Sequence, residues 1–173
     1  MDFEDSVCKV RKGNGNMEYA IRELKQGEAG ILDTFLYEAI FIPEGVNAPP
    51  KEIIRQPELQ VYVAGFGKQK SDICYVAEAS GNIVGAVWTR IMNDYGHVDA
   101  DTPSLAISLL KAYRNYGIGT ELMKQILVRL RAEGYGQVSL SVQKNNYAVG
   151  MYRKVGFQIV DENEEEYIMA CKL

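Results

Sequence analysis

Arg114-Asn115-Tyr116-Gly117-Ile118-Gly119-Thr120 decides the fold, because of what lies on either side of it. Residues 104–110 before it are rich in Leu and Ile and read as a strand. Residues 119–133 after it place Leu122, Met123, Ile126, Leu127 and Leu130 on one face, the spacing of an amphipathic helix. A helix N-terminus carries unpaired N–H groups and a partial positive charge, which suits a phosphate. Glycines at 117 and 119 let the backbone approach such an anion closely, and Thr120 adds a hydroxyl donor. The turn has neither the third glycine of a dinucleotide fingerprint nor the Gly-Lys-Ser/Thr ending of a P-loop. By itself it is equally compatible with a tight turn that binds nothing.

Working outward, Gly134 and Gly136 end the helix, and Val138, Leu140 and Val142 alternate with polar residues as a strand. Residues 145–155 read as a second helix stopped by Gly156, and residues 157–160 and 167–171 as closing strands around an acidic turn. Upstream, residues 71–79 and 82–92 are two strands joined by a Ser80-Gly81-Asn82 hairpin signal. Residues 28–41 have helical apolar spacing, residues 52–54 suggest a short helix, and residues 59–66 fit helix or strand. Residues 18–24 alternate weakly. Strands, then strand–helix–strand–helix, then a hairpin predict one α/β domain: a mixed, mostly antiparallel central sheet flanked by helices. The expected organisation is an N-terminal arm over 1–16, disordered or an irregular strand, and a single domain over 17–173.

The second informative stretch is Asn145-x-x-Ala148-x-x-Met151-Tyr152-Arg153-Lys154-Val155-Gly156-Phe157. Together the two stretches, one helix and one strand apart, resemble the GCN5-related N-acetyltransferase (GNAT) family. That family carries Arg/Gln-x-x-Gly-x-Gly/Ala after its fourth strand and Asn-x-x-Ala followed by Tyr-x-Lys-x-Gly-Phe in its second motif. The resemblance covers residues 105–157 tightly and the flanking strands loosely. A family proline three residues before the arginine is replaced by Lys111, which removes nothing that binding needs.

The resemblance implies acetyl-CoA as co-substrate and transfer of acetyl to a primary amine on a small-molecule or peptide acceptor. By the same resemblance, the backbone of Leu109, Leu110 and Lys111 pairs with the pantetheine arm. Arg114, Asn115, Tyr116, Gly117, Ile118, Gly119 and Thr120 cradle the pyrophosphate. Asn145 bonds the pantetheine or caps its helix, in competition with Asn146, and Ala148 leaves room for the cofactor. Tyr152 is the expected general acid: a phenol with a pKa of about 10 stays protonated at neutral pH and can supply a proton to a thiolate of pKa about 8.5. The other reading of Tyr152 is a half-buried aromatic on an amphipathic helix.

A base for the amine is open among Glu78, His97, Asp99 and Asp101, with an unassisted route as the alternative. Tyr37, Phe41 and residues 43–50, facing the strand of Trp88, are the expected acceptor wall, or else core. The acidic run of Asp161, Glu162, Glu164, Glu165 and Glu166 is either a lip that attracts cations or a solvated hairpin tip. Competing readings are a non-catalytic acyl-CoA-binding regulatory module on the same fold, and a nucleotide-binding α/β domain. The latter lacks an acidic residue about 20 positions past the glycine turn.

Composition narrows the partners. The 19 Lys and Arg residues against 23 Asp and Glu leave a net charge of −4, with no basic block, so nucleic acid is not an expected partner. The three cysteines (Cys8, Cys74, Cys171) and single histidine form no CxxC or His-rich set, so neither a disulfide framework nor a metal site is expected. Cys74, in an apolar run, is expected to be a buried small hydrophobe. No apolar stretch of membrane-spanning length or signal-peptide pattern is read, so the expectation is a cytoplasmic protein without a membrane partner. A homodimer is common in the family.

Overall fold

The computed structural model describes residues 6–12 and 15–173, with side chains from residue 17 onward. Its core is one eight-stranded sheet. The strands are β1 (Ser6–Lys12), β2 (Gly15–Glu23), β3 (Ile73–Ala79), β4 (Asn82–Arg90), β5 (Ser104–Leu109), β6 (Gln137–Gln143), β7 (Gln158–Glu162) and β8 (Glu166–Lys172). They lie in the order β1-β2-β3-β4-β5-β6-β8-β7, and every neighbouring pair is antiparallel except β5 and β6. Residues 1–5 and 13–14 of the expected N-terminal arm lie outside the described residues, whereas Ser6–Lys12 pairs with β2.

Strand periodicity divides the core into two layers. On one face α3 (Ile118–Ala132) buries Ile118, Leu122, Met123, Ile126 and Leu130 against Tyr75, Ala77, Val87, Leu105, Val138 and Leu140. On the other, α1 (Leu32–Glu38) and the segment after α2 (Pro57–Gln60) pack Leu32, Phe35, Leu36, Tyr62 and Val63 on Cys74, Val76, Ala86 and Trp88. Trp88 is fully buried and donates its indole N–H to the Tyr62 carbonyl at 3.1 Å. It is core, not an acceptor wall. Ser108 donates to the Phe35 carbonyl at 2.6 Å, pinning α1 to the middle of β5.

Several expected elements are shorter than their patterns. The helix read over 28–41 is a 3-10 turn (Ala29–Ile31) leading into the seven-residue α1. The helix read over 145–155 is α4 (Ala148–Lys154), because the Asn146 side chain accepts the Ala148 N–H at 2.9 Å and fixes the start there. Residues 59–66 are neither a strand nor a long helix but one turn of α2 followed by successive turns. The hairpin between β3 and β4 turns on Ser80 and Gly81, both at positive φ, as a two-residue hairpin loop requires.

Those turns are held from below by a buried ion pair. Arg90 at the end of β4 grips both Asp72 carboxylate oxygens at 2.8 and 3.0 Å and donates to the carbonyls of Val61 and Ala64. Asp72 also accepts the N–H groups of Gly67, Lys68 and Gln69, and its side chain is fully buried. Burial pushes the Asp72 carboxyl upward, but the bonds from Arg90 and the backbone outweigh it and hold it below the usual range. A carboxyl with a depressed folded pKa stabilises the protein above its unfolded pKa of about 3.9 and loses that stabilisation as pH falls through the folded value. Asp72→Ala should therefore cost about 3–5 kcal/mol in urea unfolding at pH 7. The gap between variant and wild type should close on acidification below about pH 4.

Candidate active site

β5 and β6 meet at a single register position, Ser104 opposite Ser139, with the Ser139 N–H donating to the Pro103 carbonyl at 3.0 Å. Beyond that point the strands part. The hydrogen-bond parity shows what the parting leaves unpaired. The Leu110 N–H donates to the Val84 carbonyl, so Leu110, Ser108 and Ala106 bond toward β4, and Ile107 and Leu109 turn their N–H and C=O groups the other way. On β6 the Lys144 N–H donates to the Glu165 carbonyl, which turns the backbone of Ser139, Ser141 and Gln143 toward β5. Two rows of backbone groups thus face one another across an opening wedge, where an extended ligand can add itself as a strand.

Among the residues expected along the pantetheine, Leu109 presents its backbone to this wedge. Leu110 does not, since its N–H is bound to Val84. Lys111 opens a 3-10 turn (Lys111–Tyr113) and is exposed. Ile107 has the orientation that Leu110 lacks. Alternation along β5 counted from the turn would have found it.

The glycine turn lies at the mouth of the wedge. Gly117 adopts φ +83 as the N-cap of α3 and supplies no side-chain cap, so the first N–H groups of the helix project outward without one. A Cβ built on Gly117 meets nothing within 4 Å. One built on Gly119 lies 3.6 Å from Leu109 Cδ1 and 3.9 Å from Met151 Cε, which brings β5, α3 and α4 together at one point. Asn115 is also at positive φ (66°), completing a tight approach to the helix. Tyr116 is half-buried against the core, and Ile118 is fully buried, so the side chain at 118 faces away from any ligand at the turn. The Thr120 hydroxyl makes no hydrogen bond among the described residues.

Arg114 points elsewhere. Its guanidinium donates to the Leu109 carbonyl at 3.0 Å and pairs with Glu38 at 3.0 Å, tying the turn to α1. Its side chain positions the cradle instead of facing it.

α4 supplies the other wall. Asn146 is the cap, Asn145 is exposed, and Ala148 is half-buried beside the core. Tyr152 is 8% exposed, with its ring tilted against Phe157 at 5.9 Å. Burial pushes its phenol well above the ordinary tyrosine value, and the neighbouring Tyr147 adds to the shift. Its hydroxyl has no hydrogen-bond partner among the described residues, yet it is not among their fully buried oxygens. It is a neutral donor left open.

The residues considered for a base are engaged elsewhere. Glu78 accepts from Arg22 at 2.9 Å, and the same guanidinium grips Glu28. Asp99 is exposed and accepts from Asp101 and Thr102 within its own turn and from Gln137 at the start of β6, and Asp101 is exposed beside it. His97 is exposed, with Nδ1 on the Met92 carbonyl at 2.9 Å. What the structure does bring to the closed end of the wedge is Asp94, which accepts from the Ser104 hydroxyl at 2.6 Å. As one member of an Asn-Asp-x-Gly turn, it gave no separate signal in the sequence.

Of the expected acceptor wall, Tyr37 is half-buried and donates to the Pro49 carbonyl at 2.6 Å, tethering the 43–50 loop. In the acidic run, Asn163 accepts the N–H groups of Glu165 and Glu166 and Glu162 pairs with Lys144, so it is a hairpin turn. Glu166 alone is drawn inward, bonded by Gln143 at 3.1 Å, and burial raises its carboxyl, with Glu165 adding to the effect.

A parted strand pair with an uncapped, glycine-opened helix at its mouth can take an extended ligand along its backbone and an anionic group at the helix. The Acetyltransferase (GNAT) family model matches residues 37–157, and the chain belongs to that family. It is 32% identical over 116 residues to an N-alpha-acetyltransferase of Sulfurisphaera tokodaii, covering 57% of this chain and 68% of that one. It is 30% identical over 123 residues to an N-alpha-acetyltransferase of Sulfolobus acidocaldarius, covering 61% and 72%. Among solved structures, a PaiA N-acetyltransferase from Thermoplasma acidophilum in complex with coenzyme A superposes with TM-score 0.67 at 18% identity, covering 91% of this chain and all of that one. A GNAT-family acetyltransferase of Streptococcus pneumoniae gives TM-score 0.65 at 23% identity over 90% of this chain. The protein is an acyl-CoA-dependent N-acetyltransferase that uses acetyl-CoA and an amine acceptor.

The two glycines are unequal as probes. A side chain at 117 is strained by φ whatever binds there, whereas at 119 a Cβ makes only ordinary contacts. Gly119→Val should therefore remain folded by circular dichroism while its calorimetric affinity for acetyl-CoA falls roughly tenfold or more, about 1.4 kcal/mol. Wild-type affinity in that variant would reject the cradle.

Proposed function

We propose that the protein transfers acetyl from acetyl-CoA directly to a primary amine, with Tyr152 as the general acid to the departing thiolate. The observation that carries this reading is the Tyr152 hydroxyl: a neutral phenol on a largely buried ring, one helical turn after the small Ala148, with no partner of its own. The raised pKa keeps the proton on the oxygen across the working pH range, so the phenol acts as a hydrogen-bond donor that strengthens as negative charge develops on sulfur. Ile107 and Leu109 hold the extended arm through their backbone, and the amides at 117–120 hold the pyrophosphate.

The acceptor is a small-molecule or peptide amine. Two relatives at 30–32% identity carry the name N-alpha-acetyltransferase, which makes a free α-amino group the first to test. Such an amine has a pKa of about 7.7–8.0 and is substantially neutral at physiological pH, which lowers the demand on a base.

The reading places the transferase domain at residues 17–173 and its work in the cytoplasm, where the free thiols of Cys74 and Cys171 would stay reduced. No described helix is long and apolar enough to cross a membrane. A homodimer belongs to the same reading: β7 is an edge strand with Ile159 and Val160 exposed.

Thiol release from acetyl-CoA, measured with an alanine-initiated peptide amide, spermidine and an α-blocked lysine amide, tests the transfer. Release with the peptide alone would establish the α-amine preference. No release with any of them from a protein that binds acetyl-CoA would overturn the reading. Tyr152→Phe keeps the ring that packs on Phe157 and removes the donor. It should lower kcat about 100-fold with acetyl-CoA affinity unchanged. Equal turnover in the variant, under conditions where chemistry limits the rate, would remove Tyr152 from the mechanism.

A further inference from the structure

The surroundings of Asp94 carry one step further, which rests on the acetyl-transfer reading. Asp94 stands in the loop between β4 and β5, and Ser104, which bonds it, is the residue at which β5 and β6 meet before they part. Ser104 lies on the α1 face of the sheet with Ala106 and Ser108, opposite the face that carries α3 and α4. The loop is set against β6 by backbone contact. The Ser139 hydroxyl donates to the Gly96 carbonyl at 2.6 Å, and a Cβ on Gly96 would lie 2.9 Å from the Ser141 nitrogen, so only glycine lets the loop lie this close.

The carboxylate is thereby fixed at the closed end of the wedge. The buried Tyr62 lies near it in the segment after α2, Tyr95 is its neighbour in the loop, and Glu166 on β8 also lies near Tyr62. Among the described residues no lysine or arginine pairs with Asp94. The single hydroxyl donor, from Ser104, leaves lone pairs on the carboxylate unused.

We propose that Asp94 is the proton acceptor for the amine, entering from the α1 face. The amine nitrogen forms a bond to the thioester carbonyl carbon while the carbon–sulfur bond breaks. One proton leaves the nitrogen for the Asp94 carboxylate, and one passes from the Tyr152 hydroxyl to sulfur. Asp94 then returns its proton to solvent and Tyr152 regains one, so each turnover moves one proton from nitrogen to sulfur with no net charge.

The test compares wild type, Asp94→Asn and Asp94→Glu, with the alanine-initiated peptide amide as acceptor at pH 7 and pH 9. Asp94→Asn should lower kcat/KM about 100-fold at pH 7. The deficit should persist at pH 9, because a neutral amine still has one proton to lose as its nitrogen bonds to carbon. Asp94→Glu should recover most of the loss, and calorimetric acetyl-CoA affinity and melting temperature should match wild type in both variants. A loss below about twofold, a deficit that vanishes at pH 9, or an equal loss of acetyl-CoA affinity would overturn the assignment. In an active wild type those outcomes remove Asp94 alone. A wild type that binds acetyl-CoA but acetylates no amine removes the transfer reading and Asp94 with it.

Discussion

The parting of β5 from β6 is the constraint on which the rest of the molecule depends. A parallel pair would ordinarily be bonded along its length, and here it is bonded only where Ser104 faces Ser139. Apart from the Leu109 carbonyl, which Arg114 takes, the backbone polar groups turned to the wedge beyond that point need water or a ligand, because buried unpaired N–H and C=O groups are costly. The sheet tolerates this because the two halves are each complete elsewhere. β5 is fully paired on its other side with β4, and β6 with β8. Neither strand needs the other in order to exist, so the opening between them can persist as a binding groove.

Holding such a wedge at a fixed angle falls to side chains that reach across. On one side Ser108 bonds α1, and Arg114 joins Leu109 to Glu38, so strand, turn and helix move as a unit. On the other, Ser139 bonds Gly96 and Asn146 fixes the first turn of α4. Farther down, Arg90 and Asp72 hold the turns that carry Tyr62. These are short polar contacts with defined geometry. They suit the task because apolar packing sets a distance loosely, whereas a bonded guanidinium or hydroxyl sets an orientation as well.

Sequence legibility followed periodicity and motif. The helix after the glycine turn and the β3–β4 hairpin could be read because their signals are local: five apolar residues on one helical face, and a turn dipeptide between alternating runs. The seven-residue α1 and α4 were overextended because apolar spacing continues past the residues whose backbone stays helical. At α4 it took one side-chain bond, from Asn146, to say where the helix begins. The orientation of Leu110 could not be read from residue type, since leucine serves either face. Only the hydrogen bond to Val84 shows that Ile107, not Leu110, presents its backbone to the groove. The ion pair of Arg114 could not be read either, because its partner Glu38 lies 76 residues away in sequence. Asp94 was hidden for the same reason: its significance comes from Ser104, and both sit in stretches that read as turn and strand.

The sheet itself separates the two groups proposed to handle protons. Tyr152 lies with α3 and α4 on one face, and Asp94 lies with Ser104 on the other. A thioester drawn through the wedge would have its sulfur accessible from the first face and its carbonyl carbon from the second. With the two groups on opposite sides, the substrate would be the connection between them. Burial holds the phenol neutral, and the Ser104 hydroxyl fixes the carboxylate on its own side of the sheet. On that reading the wedge would do more than bind: it would make the reacting carbon the point where two otherwise isolated environments meet.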